Sequence, residues 1–575
     1  MSTTTVDAAF IAAVAGAADA AVAATLATPA KDFRTWPHRR LMEHVKLLVA
    51  ASLFKHSRHH ATEAPLKTAH AMSLRLLELQ MADGLFYGGD NIASPPDSAF
   101  TINDACDTLE LIRRSGQSGR LPLLARVESV IGSVADAAEA PLVRGGIHTP
   151  NHRWEITAAL ARLHRRRPSA QVHGRMLEWL GEGVDLNPDG TYSERSANYA
   201  AHVSNPSLSV VGDVLNLPGL HAAVAANLES TLSMIHPDLT VETVHSRRQD
   251  QNGAFSLAPY LAMYRRYAIE HERGDFAWAS AQALAAGVDG VPTVLAELLL
   301  NPELSRELPA MQSPAASNSS VWPDAALAVD TNPERTLVVY GGSDYAQKAQ
   351  VRSGLANNPT FMRLFAGDAV LDAVRLSRTF FGLGPFRAAG LDRNATDTGY
   401  ILQETTGANY YQPLSAEECR PDGRYALEND GRFQAAMSFS HRQRDRVEMA
   451  TEIVVTPLPD GVRMDIELAG PKAGWALELT FRDGGEFAGG TPLGNGDVHL
   501  TEGCGSYRFG SSELFVTSDV PHHSEAPPVY SPGEDYDFMG ASDATTGRHA
   551  YLTGHSPGRF SIVIGARSDG AGTQE

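Results

Sequence analysis

A change of periodicity near residue 310 is the feature that most constrains the fold of this chain. From about residue 38 to 305, apolar residues recur at three-to-four spacing, which predicts amphipathic helices. Residues 309–324 are rich in Pro, Ser, Ala and Asn, and the segments that follow are short, β-branched and partly alternating, which predicts strands. We therefore expect an α+β multidomain protein, with an α-helical domain over residues 1–310, a linker over 311–325 and an antiparallel β-sandwich domain over 326–575.

The predicted elements follow from these two periodicities. The helices are expected over residues 41–54, 69–81, 104–114, 121–138, 155–163, 171–180, 217–235, 257–269 and 276–300. The strands are expected over residues 336–340, 369–374, 448–456, 462–468, 476–481 and 560–566. No fixed sequence period stands out, so stacked helical hairpins are favoured over a regular solenoid.

Composition and charge narrow the classes of partner. Hydrophobic residues make up 43% of the 575 and charged residues 20%, as in a globular protein with a sizeable core. The formal net charge of -19 repels nucleic acid and anionic membranes, so neither is expected as a partner. The three cysteines, Cys106, Cys419 and Cys504, lie far apart and predict neither a disulfide framework nor a zinc site.

The N-terminal 33 residues are rich in alanine. No Lys or Arg precedes the apolar part, and Asp7 and Asp19 interrupt it, which favours an N-terminal helix over a secretory signal. No other segment has the roughly 20 uninterrupted apolar residues that a membrane span requires. A cytoplasmic location is expected.

Three polar islands interrupt the helical half. They are residues 148–155 (His-Thr-Pro-Asn-His-Arg-Trp-Glu), 189–199 (Asp-Gly-Thr-Tyr-Ser-Glu-Arg-Ser-Ala-Asn-Tyr) and 245–252 (His-Ser-Arg-Arg-Gln-Asp-Gln-Asn). Each gathers His, Tyr, Arg, Asn or carboxylate side chains where a helix would begin or end. A helical shell does not need such islands for stability, whereas a site that binds an acidic sugar and moves a proton does.

The first island has a structural and a functional interpretation. Asn151 and Glu155 suit the first turn of a helix, where they would cap amides and meet the positive end, with Trp154 in the core. Alternatively, His152 and Glu155 lie one turn apart on one face, so the carboxylate would orient the imidazole. The positive helix end would also favour the neutral histidine that a general base requires.

The second island contains two tyrosines, Tyr192 and Tyr199, and its structural alternative is a solvated loop carrying Glu194 and Arg195. A tyrosine with its ordinary pKa near 10 acts as a base only when nearby cations lower that value, and it can then return the proton as an acid. Arg195 or Arg247 would supply the charge.

The third island carries adjacent arginines, Arg247 and Arg248, followed by Gln249 and Asp250. Two guanidinium groups can bind carboxylate or sulfate in bidentate fashion. The alternative is compositional, because no lysine occurs between Lys67 and Lys348 and cations there are arginines by default. Phosphate-binding glycine loops and zinc-protease or serine-hydrolase signatures are absent from the sequence.

These features together resemble the heparinase II/III-like polysaccharide lyases, a group that includes heparinases and oligoalginate lyases. The resemblance lies in an Asn-His pair in the helical half, an Asp-Gly-aromatic turn followed by a tyrosine, and a β-rich C-terminal half. It implies an incomplete (α/α) toroid joined to an antiparallel β-sandwich. Many relatives follow the turn with Gln-His or Asp-His, whereas here Ser-Glu-Arg-Ser follows.

The resemblance also implies roles for individual residues. Asn151 resembles the family's carboxylate neutraliser, His152 its catalytic histidine, and Tyr199, or else Tyr192, its catalytic tyrosine. Glu155 resembles an acidic residue that some members carry one turn after the histidine. The Ser-Arg-Arg-Gln-Asp island is not part of this resemblance. From the residues themselves, the expected substrate-binding residues are Glu194, Arg195, Arg247, Arg248, Gln249 and Asp250.

The expected reaction is β-elimination at the C4–O bond of a uronic acid such as glucuronate, with an acidic oligosaccharide as substrate. It requires no cofactor, and the sequence leaves a structural metal in the β half and a homo-oligomer open. One alternative is a glucuronidase-like glycoside hydrolase on the same toroid, for which Glu155, Asp189, Glu194 and Asp250 are candidate carboxylates. Another is a non-catalytic glycan-binding protein, against which the histidines and tyrosines of the islands argue.

Overall fold

Two compact units make up the structure. The computed structural model describes residues 5–89, 91–345, 354–396, 398–432, 434–521, 530, 535–536, 541–542 and 545–568. The first unit consists of the described residues up to Ile235 together with Leu239–Val241 and Phe255–Pro314. The second consists of His236–Asp238, Glu242–Ala254 and the described residues from Ala315 onward. The chain therefore contributes two short segments, His236–Asp238 and Glu242–Ala254, to the second unit before its C-terminal part forms the rest of that unit.

Helices dominate the first unit. In chain order they are α1 Ala8–Ala27, α2 Ala30–Phe33, α3 His38–Leu53, α4 Glu63–Leu79, α5 Pro95–Ser115, α6 Pro122–Arg144, α7 Pro150–Arg166, α8 Ala170–Leu180, α9 Ala197–Tyr199, α10 Asn205–Leu215, α11 Pro218–Leu232, α12 Leu261–His271, α13 Gly274–Ala286 and α14 Val291–Leu300. Two small antiparallel sheets accompany them, formed by β1 Phe86–Gly88 with β2 Asn91–Ser94 and by β3 Thr240–Val241 with β4 Phe255–Ser256.

The helices alternate between an inner and an outer layer. Nearly every residue of α7 from Asn151 to Leu163 is buried, whereas α8 buries only Val172, Met176 and Trp179. The same contrast separates α3, α5 and α12 from α4 and α13. Since each inner helix packs against the outer helix that follows it in an αα-hairpin, successive inner helices run in the same direction.

Helix α1 is long and apolar enough to cross a membrane by length and composition. In the structure it packs against α3, α4 and α14 and buries Phe10, Val14, Ala18 and Val22. Asp19 on its other side accepts hydrogen bonds from the Ser57 hydroxyl at 2.6 Å and from the Arg58 amide. The predicted N-terminal helix is thus part of the helical packing of the first unit.

Strands build the second unit. In chain order they are β5 Asn318–Trp322, β6 Leu327–Thr331, β7 Thr336–Tyr340, β8 Met362–Ala366, β9 Ala369–Arg378, β10 Asp392–Arg393, β11 Tyr400–Tyr411, β12 Leu427–Asn429, β13 Gln434–Ala436, β14 Arg444–Leu458, β15 Gly461–Ala469, β16 Gly474–Phe481, β17 Glu486–Ala488, β18 Thr491–Gly494, β19 Asp497–His499, β20 Cys504–Phe509, β21 Ser512–Ser518, β22 Asp535–Tyr536, β23 Ala541–Ser542, β24 Arg548–His555 and β25 Gly558–Ser568.

Two large sheets face each other in this unit. One has the order β18-β19-β24-β16-β9-β8-β7-β6-β5 and the other β10-β11-β14-β15-β25-β21-β20-β17. All neighbours are antiparallel except β19 and β24. A single core joins alternate residues of both sheets, such as Leu376 and Leu477 of the first with Ile453, Met464 and Ile562 of the second. The helix-rich first unit and this sandwich confirm the expected α+β class and the order of its parts.

Three local features differ from the sequence-based expectation. The single helix expected over residues 276–300 is two helices, because Gly287 and Gly290 adopt positive φ angles of 124° and 58°. The segment interpreted as a linker contains β5, which forms the edge of its sheet. The helical stretch from α9 to α10 was not predicted.

Candidate active site

The inner helices begin on one face of the first unit, which we call the N-terminal face. Because these helices are parallel, their positive ends and unpaired amides gather there. Residues 148–152 lie at the start of α7, and Tyr199 lies just before α10. Two of the three polar islands therefore meet the same face of the helical unit.

A buried hydrogen-bond network joins the first two islands. Asn151 has no exposed surface, and its backbone N–H donates to Glu194 Oε2 at 3.1 Å. Its side-chain Nδ2 lies 2.9 and 2.8 Å from the two carboxylate oxygens of the same residue. The Thr149 hydroxyl accepts from Nδ2 as well, at 3.0 Å. The loop that carries Glu194 is thus fixed to the first turn of α7.

Asp185 makes a second connection between the two islands. Its carboxylate accepts from the Trp154 indole N–H at 2.9 Å and from the Ser193 hydroxyl at 2.5 Å. Arg153 reaches the same carboxylate at 3.3 Å and stacks over the Trp154 ring. Glu182 completes the pairing of Arg153 at 2.9 Å. These contacts hold Ser193 and its neighbours at a fixed position beside α7.

The two tyrosines of the second island have different environments. Tyr192 is buried, its hydroxyl donates to Asn205 Oδ1 at 2.8 Å, and burial raises its pKa well above the usual range. Tyr199 is only half-buried, and its backbone amide donates to the Ser196 hydroxyl that caps α9. Of these two tyrosines, Tyr199 is therefore the one that is partly exposed on the N-terminal face.

The backbone around Tyr199 is irregular. Arg195 has a positive φ of 53°, which L-residues rarely adopt. Strained backbone conformations of this kind occur often at functional sites. A π-helical turn, Ala200–Ser204, follows Tyr199. Its cause is local, because Pro206 lacks the backbone N–H that an α-helix would direct to the carbonyl of His202. Such turns occur frequently at functional sites.

Glu155 points away from the histidine with which it was expected to pair. Its carboxylate accepts from Asn103 Nδ2 at 2.6 Å and lies 3.5 Å from the Ser207 hydroxyl, in the interior between inner helices. Burial raises its pKa to about 7, although Asn103 and the nearby Arg162 oppose that change. The predicted orientation of His152 by Glu155 is therefore wrong, and His152 itself is half-buried at the start of α7.

A cavity of about 90 Å³ on this face brings in residues that the sequence did not single out. It lies between the π-helical turn, α12 and the start of α14, and its polar lining includes His202, Asp289, Thr293 and Glu297. Partial burial lowers the pKa of His202 and burial raises that of Glu297. In the sequence, His202 could have been found only from its spacing, because it follows Tyr199 by three residues and would lie on the same face of a helix.

The third island belongs to the second unit. Arg247 forms a bidentate ion pair with Asp344, with Nε–Oδ2 at 2.6 Å and Nη2–Oδ1 at 2.8 Å. Arg248 lies beside Gln249, its Nε 3.5 Å from Oε1 of that residue. Asp250 accepts from the Ser246 hydroxyl at 2.5 Å. The charge of Arg247 is thus paired with a carboxylate of its own unit.

The carboxylates of Asp189 and Glu194, which the sequence offered as candidates for catalysis or binding, make contacts that stabilise their own loop. Asp189 closes its own turn, accepting from the amide and hydroxyl of Thr191 at 3.1 and 2.6 Å. Glu194 is bonded by Asn151, as described above. Among the residues that the structure describes, no group of three or more His, Cys, Asp and Glu side chains could hold a metal ion.

Comparison with known proteins gives a fold but no family. No protein-family model and no curated protein matches the chain. A xanthan lyase from Paenibacillus has the same fold, with a TM-score of 0.55 at 9% identity over 99% of this chain and 58% of that one. The expected toroid-plus-sandwich fold is confirmed, and the chain spans just over half the length of that lyase.

Two further solved structures align less closely. A chondroitin AC lyase from Streptomyces coelicolor A3, solved in complex with chondroitin sulphate, gives a TM-score of 0.47 at 13% identity over 97% of this chain and 77% of that one. A β-arabinofuranosidase of glycoside hydrolase family 127 gives 0.32 at 10% identity over 91% and 85%. At these scores neither adds to the argument.

Proposed function

We propose that the protein is a polysaccharide or oligosaccharide lyase that cleaves the C4–O bond of a uronic acid, such as glucuronate, by β-elimination. The observation that carries the proposal is the Asn151–Glu194 network, which joins the island that contains His152 to the island that contains Arg195 and Tyr199. A tyrosine, a histidine and a guanidinium are the groups that this reaction needs. The fold shared with a xanthan lyase supports the same class of reaction.

In the proposed mechanism the C5–H and C4–O bonds break while a C4=C5 double bond forms. Tyr199, as phenolate, or His152 accepts the C5 proton, and the protonated Tyr199 then donates to the departing glycosidic oxygen. Arg195, of which 9% is exposed, would stabilise the phenolate and bind the uronate carboxylate. Proton transfer by a placed side chain typically contributes about 10²–10⁴-fold in rate. The products are a 4,5-unsaturated uronate and a free hydroxyl, and no water is consumed.

Asn151 takes a different role in this proposal from the one that the resemblance implied. Its Nδ2 group already donates to Glu194, and the residue has no exposed surface. We therefore assign it as a positioning residue for the loop that carries Arg195 and Tyr199. Neutralising a developing enolate by a preorganised donor is worth about 3–4 kcal/mol, and in this mechanism that donor is Arg195.

A glycoside hydrolase is the second candidate, and the buried Glu155 favours it. With a pKa of about 7, Glu155 is about half protonated at neutral pH, so a protonated carboxyl is present to act as a general acid. Asp289 or Glu297, at the cavity on the same face, would be its partner carboxylate. Only 4% of Glu155 is exposed, however, so it lacks the access to a glycosidic oxygen that Tyr199 has.

The first experiment incubates the purified protein with a panel of uronate-containing oligosaccharides and follows the ultraviolet absorbance of a 4,5-unsaturated uronate. We expect the absorbance to rise with the native protein. Tyr199→Phe, which lacks the proton-transferring hydroxyl, should lower kcat by at least 10²-fold. His152→Ala should lower it by a similar factor if His152 is the base.

Tyr192→Phe discriminates between the two tyrosines, since it removes one hydroxyl from the same island. It should lower the free energy of unfolding by about 1 kcal/mol through the lost bond to Asn205, with little change in kcat. If Tyr192→Phe and not Tyr199→Phe abolishes turnover, the assignment of the base is wrong. Cleavage without the absorbance would reject the lyase and direct attention to Glu155 with Asp289 or Glu297.

A further inference from the structure

A second cavity, of about 420 Å³, opens between α5, α6 and α7. We call it the arginine pocket, because its lining includes Arg113, Arg114, Arg162, Arg165 and Arg166. Two carboxylates, Glu110 and Glu128, accompany these five cations. A local excess of positive charge is unexpected on a chain with a net charge of -19.

Part of this positive charge is already matched inside the unit. Arg162 is buried and fully used by Asp107 and Asn103. Arg114 donates to Glu110 and to the carbonyl of Leu300. Every guanidinium nitrogen of Arg162 is therefore engaged within the unit, whereas Arg114 retains Nη2.

The other three arginines retain donors as well. Arg113 uses Nε and Nη2 on Glu110, at 2.7 and 2.6 Å, and Arg166 uses Nη1 on Asp136. Arg165 is exposed and makes no hydrogen bond or ion pair within the part of the chain that the structure describes. The Arg165 guanidinium, Nη1 of Arg113 and Nη2 of both Arg114 and Arg166 are thus left for a ligand.

Gly132 in the middle of α6 keeps one wall of the pocket open. Glycine in a helix interior costs about 0.5–1 kcal/mol relative to alanine. A Cβ atom at this position would meet only Nη2 of Arg166, at 3.6 Å, so no backbone crowding requires the glycine. Its absent side chain leaves space directly in front of a free guanidinium nitrogen.

Interaction with helix ends does not account for the pocket by itself. Arginines in a last helical turn complement the negative helix end, and Arg113, Arg114, Arg165 and Arg166 occupy such turns of α5 and α7. Arg165, however, bonds to no carbonyl, and a cavity accompanies the cluster. Arg165 follows Asn151 by fourteen residues on α7, which is about 21 Å along the helix, so the pocket is separate from the N-terminal face.

We propose that the arginine pocket binds a small oxyanionic ligand through a sulfate or phosphate group, either a free ion or a group carried by a sugar. Guanidinium groups form paired, charge-assisted hydrogen bonds to such tetrahedral anions. The pocket is a second binding site, remote from the candidate active site, and it does not depend on the lyase assignment.

Titration calorimetry at 0.15 M NaCl tests the proposal with two probes, sodium phosphate and a sulfated uronate-containing disaccharide. At least one should bind to the native protein and to Tyr199→Phe. Arg165→Glu should weaken that binding at least 10-fold. Gly132→Glu, which directs a carboxylate at Arg166, should do the same. Circular dichroism would verify that both variants remain folded.

Arg126→Glu is the matched control, since Arg126 is an exposed arginine on α6, two residues from Glu128 and therefore turned away from it. It should change affinity less than twofold. Binding of phosphate alone would identify a free ion as the source, and binding of the disaccharide alone would identify the sugar. The proposal is overturned if neither probe binds at millimolar concentration, or if Arg126→Glu weakens binding as much as Arg165→Glu.

Discussion

At the scale of single residues, burial separates the candidates that the sequence grouped together. Asn151, Tyr192 and Glu155 are polar residues next to helix starts, and such positions are typical of both caps and catalytic groups. In the structure each is buried with a specific partner, Glu194, Asn205 and Asn103 respectively. The side chains left accessible are His152 and Tyr199. No sequence pattern distinguishes these two sets, because the partners are 13 to 52 residues away.

Glu155 should make stability depend on pH. Because its pKa is raised to about 7, the folded protein keeps a proton that the unfolded chain has lost above about pH 4.5. Stability from this group is therefore highest at low pH, falls as pH rises towards 7 and stays low above it. Between pH 5 and 8.5 the free energy of unfolding of the native protein should fall by roughly 2–3 kcal/mol relative to Glu155→Gln.

Urea unfolding of both proteins at several pH values would measure this difference. Glu63→Gln, an exposed carboxylate on α4 paired with Lys67, is the control and should show a constant difference. A constant difference for Glu155→Gln as well would mean that Glu155 is ionised in the folded state.

Glu242 should have the opposite pH dependence. Burial would raise its pKa, but Arg363, His236 and the amide of Val244 together hold that pKa well below the usual range. The stability it provides is present above the unfolded-state pKa and is lost as pH falls. Glu242→Gln leaves Arg363 unpaired and should destabilise the second unit by about 3–5 kcal/mol at pH 7.

Thermal unfolding of Glu242→Gln across pH would check both parts of this prediction. The exposed pair Glu467–Arg559 offers a control, since Glu467→Gln should cost less than about 1 kcal/mol. Equal losses in the two variants would contradict the role of the buried carboxylate.

At the scale of elements, the loop between α8 and α9 is held in place by α7. Asn151→Asp would place a second carboxylate beside Glu194, and the repulsion between the two negative charges would weaken this contact. We expect faster amide exchange in residues 189–196 at pH 8, with partial recovery at pH 5, where one carboxyl can hold a proton. Hydrogen-exchange mass spectrometry measures this directly.

Asn216→Asp makes the same chemical change at the end of α10, where the residue adopts a left-handed conformation that Asp also tolerates. Exchange in residues 189–196 should not respond to it. An unchanged exchange rate in Asn151→Asp would mean that the loop holds its position without the network.

The helices and strands could be predicted where the spacing of apolar residues along the segment determines them. Three-to-four spacing identified most inner and outer helices, and alternation identified the long strands. The α9–α10 stretch was missed because Asn-Pro and several serines interrupt its apolar pattern, although Leu208 and Val211 are buried in the structure. The third island was placed with the helices because its partner Asp344 lies 97 residues further on.

At the scale of the whole molecule, the net charge of -19 should affect encounter with an acidic substrate. Repulsion by the overall field is screened as the Debye length shortens from about 30 Å at 0.01 M salt to about 8 Å at 0.15 M. We therefore expect kcat/KM on an acidic oligosaccharide to rise severalfold over this range. Initial rates with a neutral oligosaccharide should stay constant, and a falling kcat/KM on the acidic one would contradict repulsion.

The second unit contains residues that precede the helices α12–α14 in the sequence and residues that follow them. This order has a consequence for the synthesis of the protein. Glu242 leaves the ribosome 121 residues before Arg363, its buried partner. At about 5–20 residues per second, that delay is roughly 6–24 s. During this interval the strands that complete the second unit have not all been synthesised, so His236–Asp238 and Glu242–Ala254 cannot yet pack in that unit. Nascent chains halted before strand β8 should therefore expose these segments to protease, although the helices that flank them have already been synthesised.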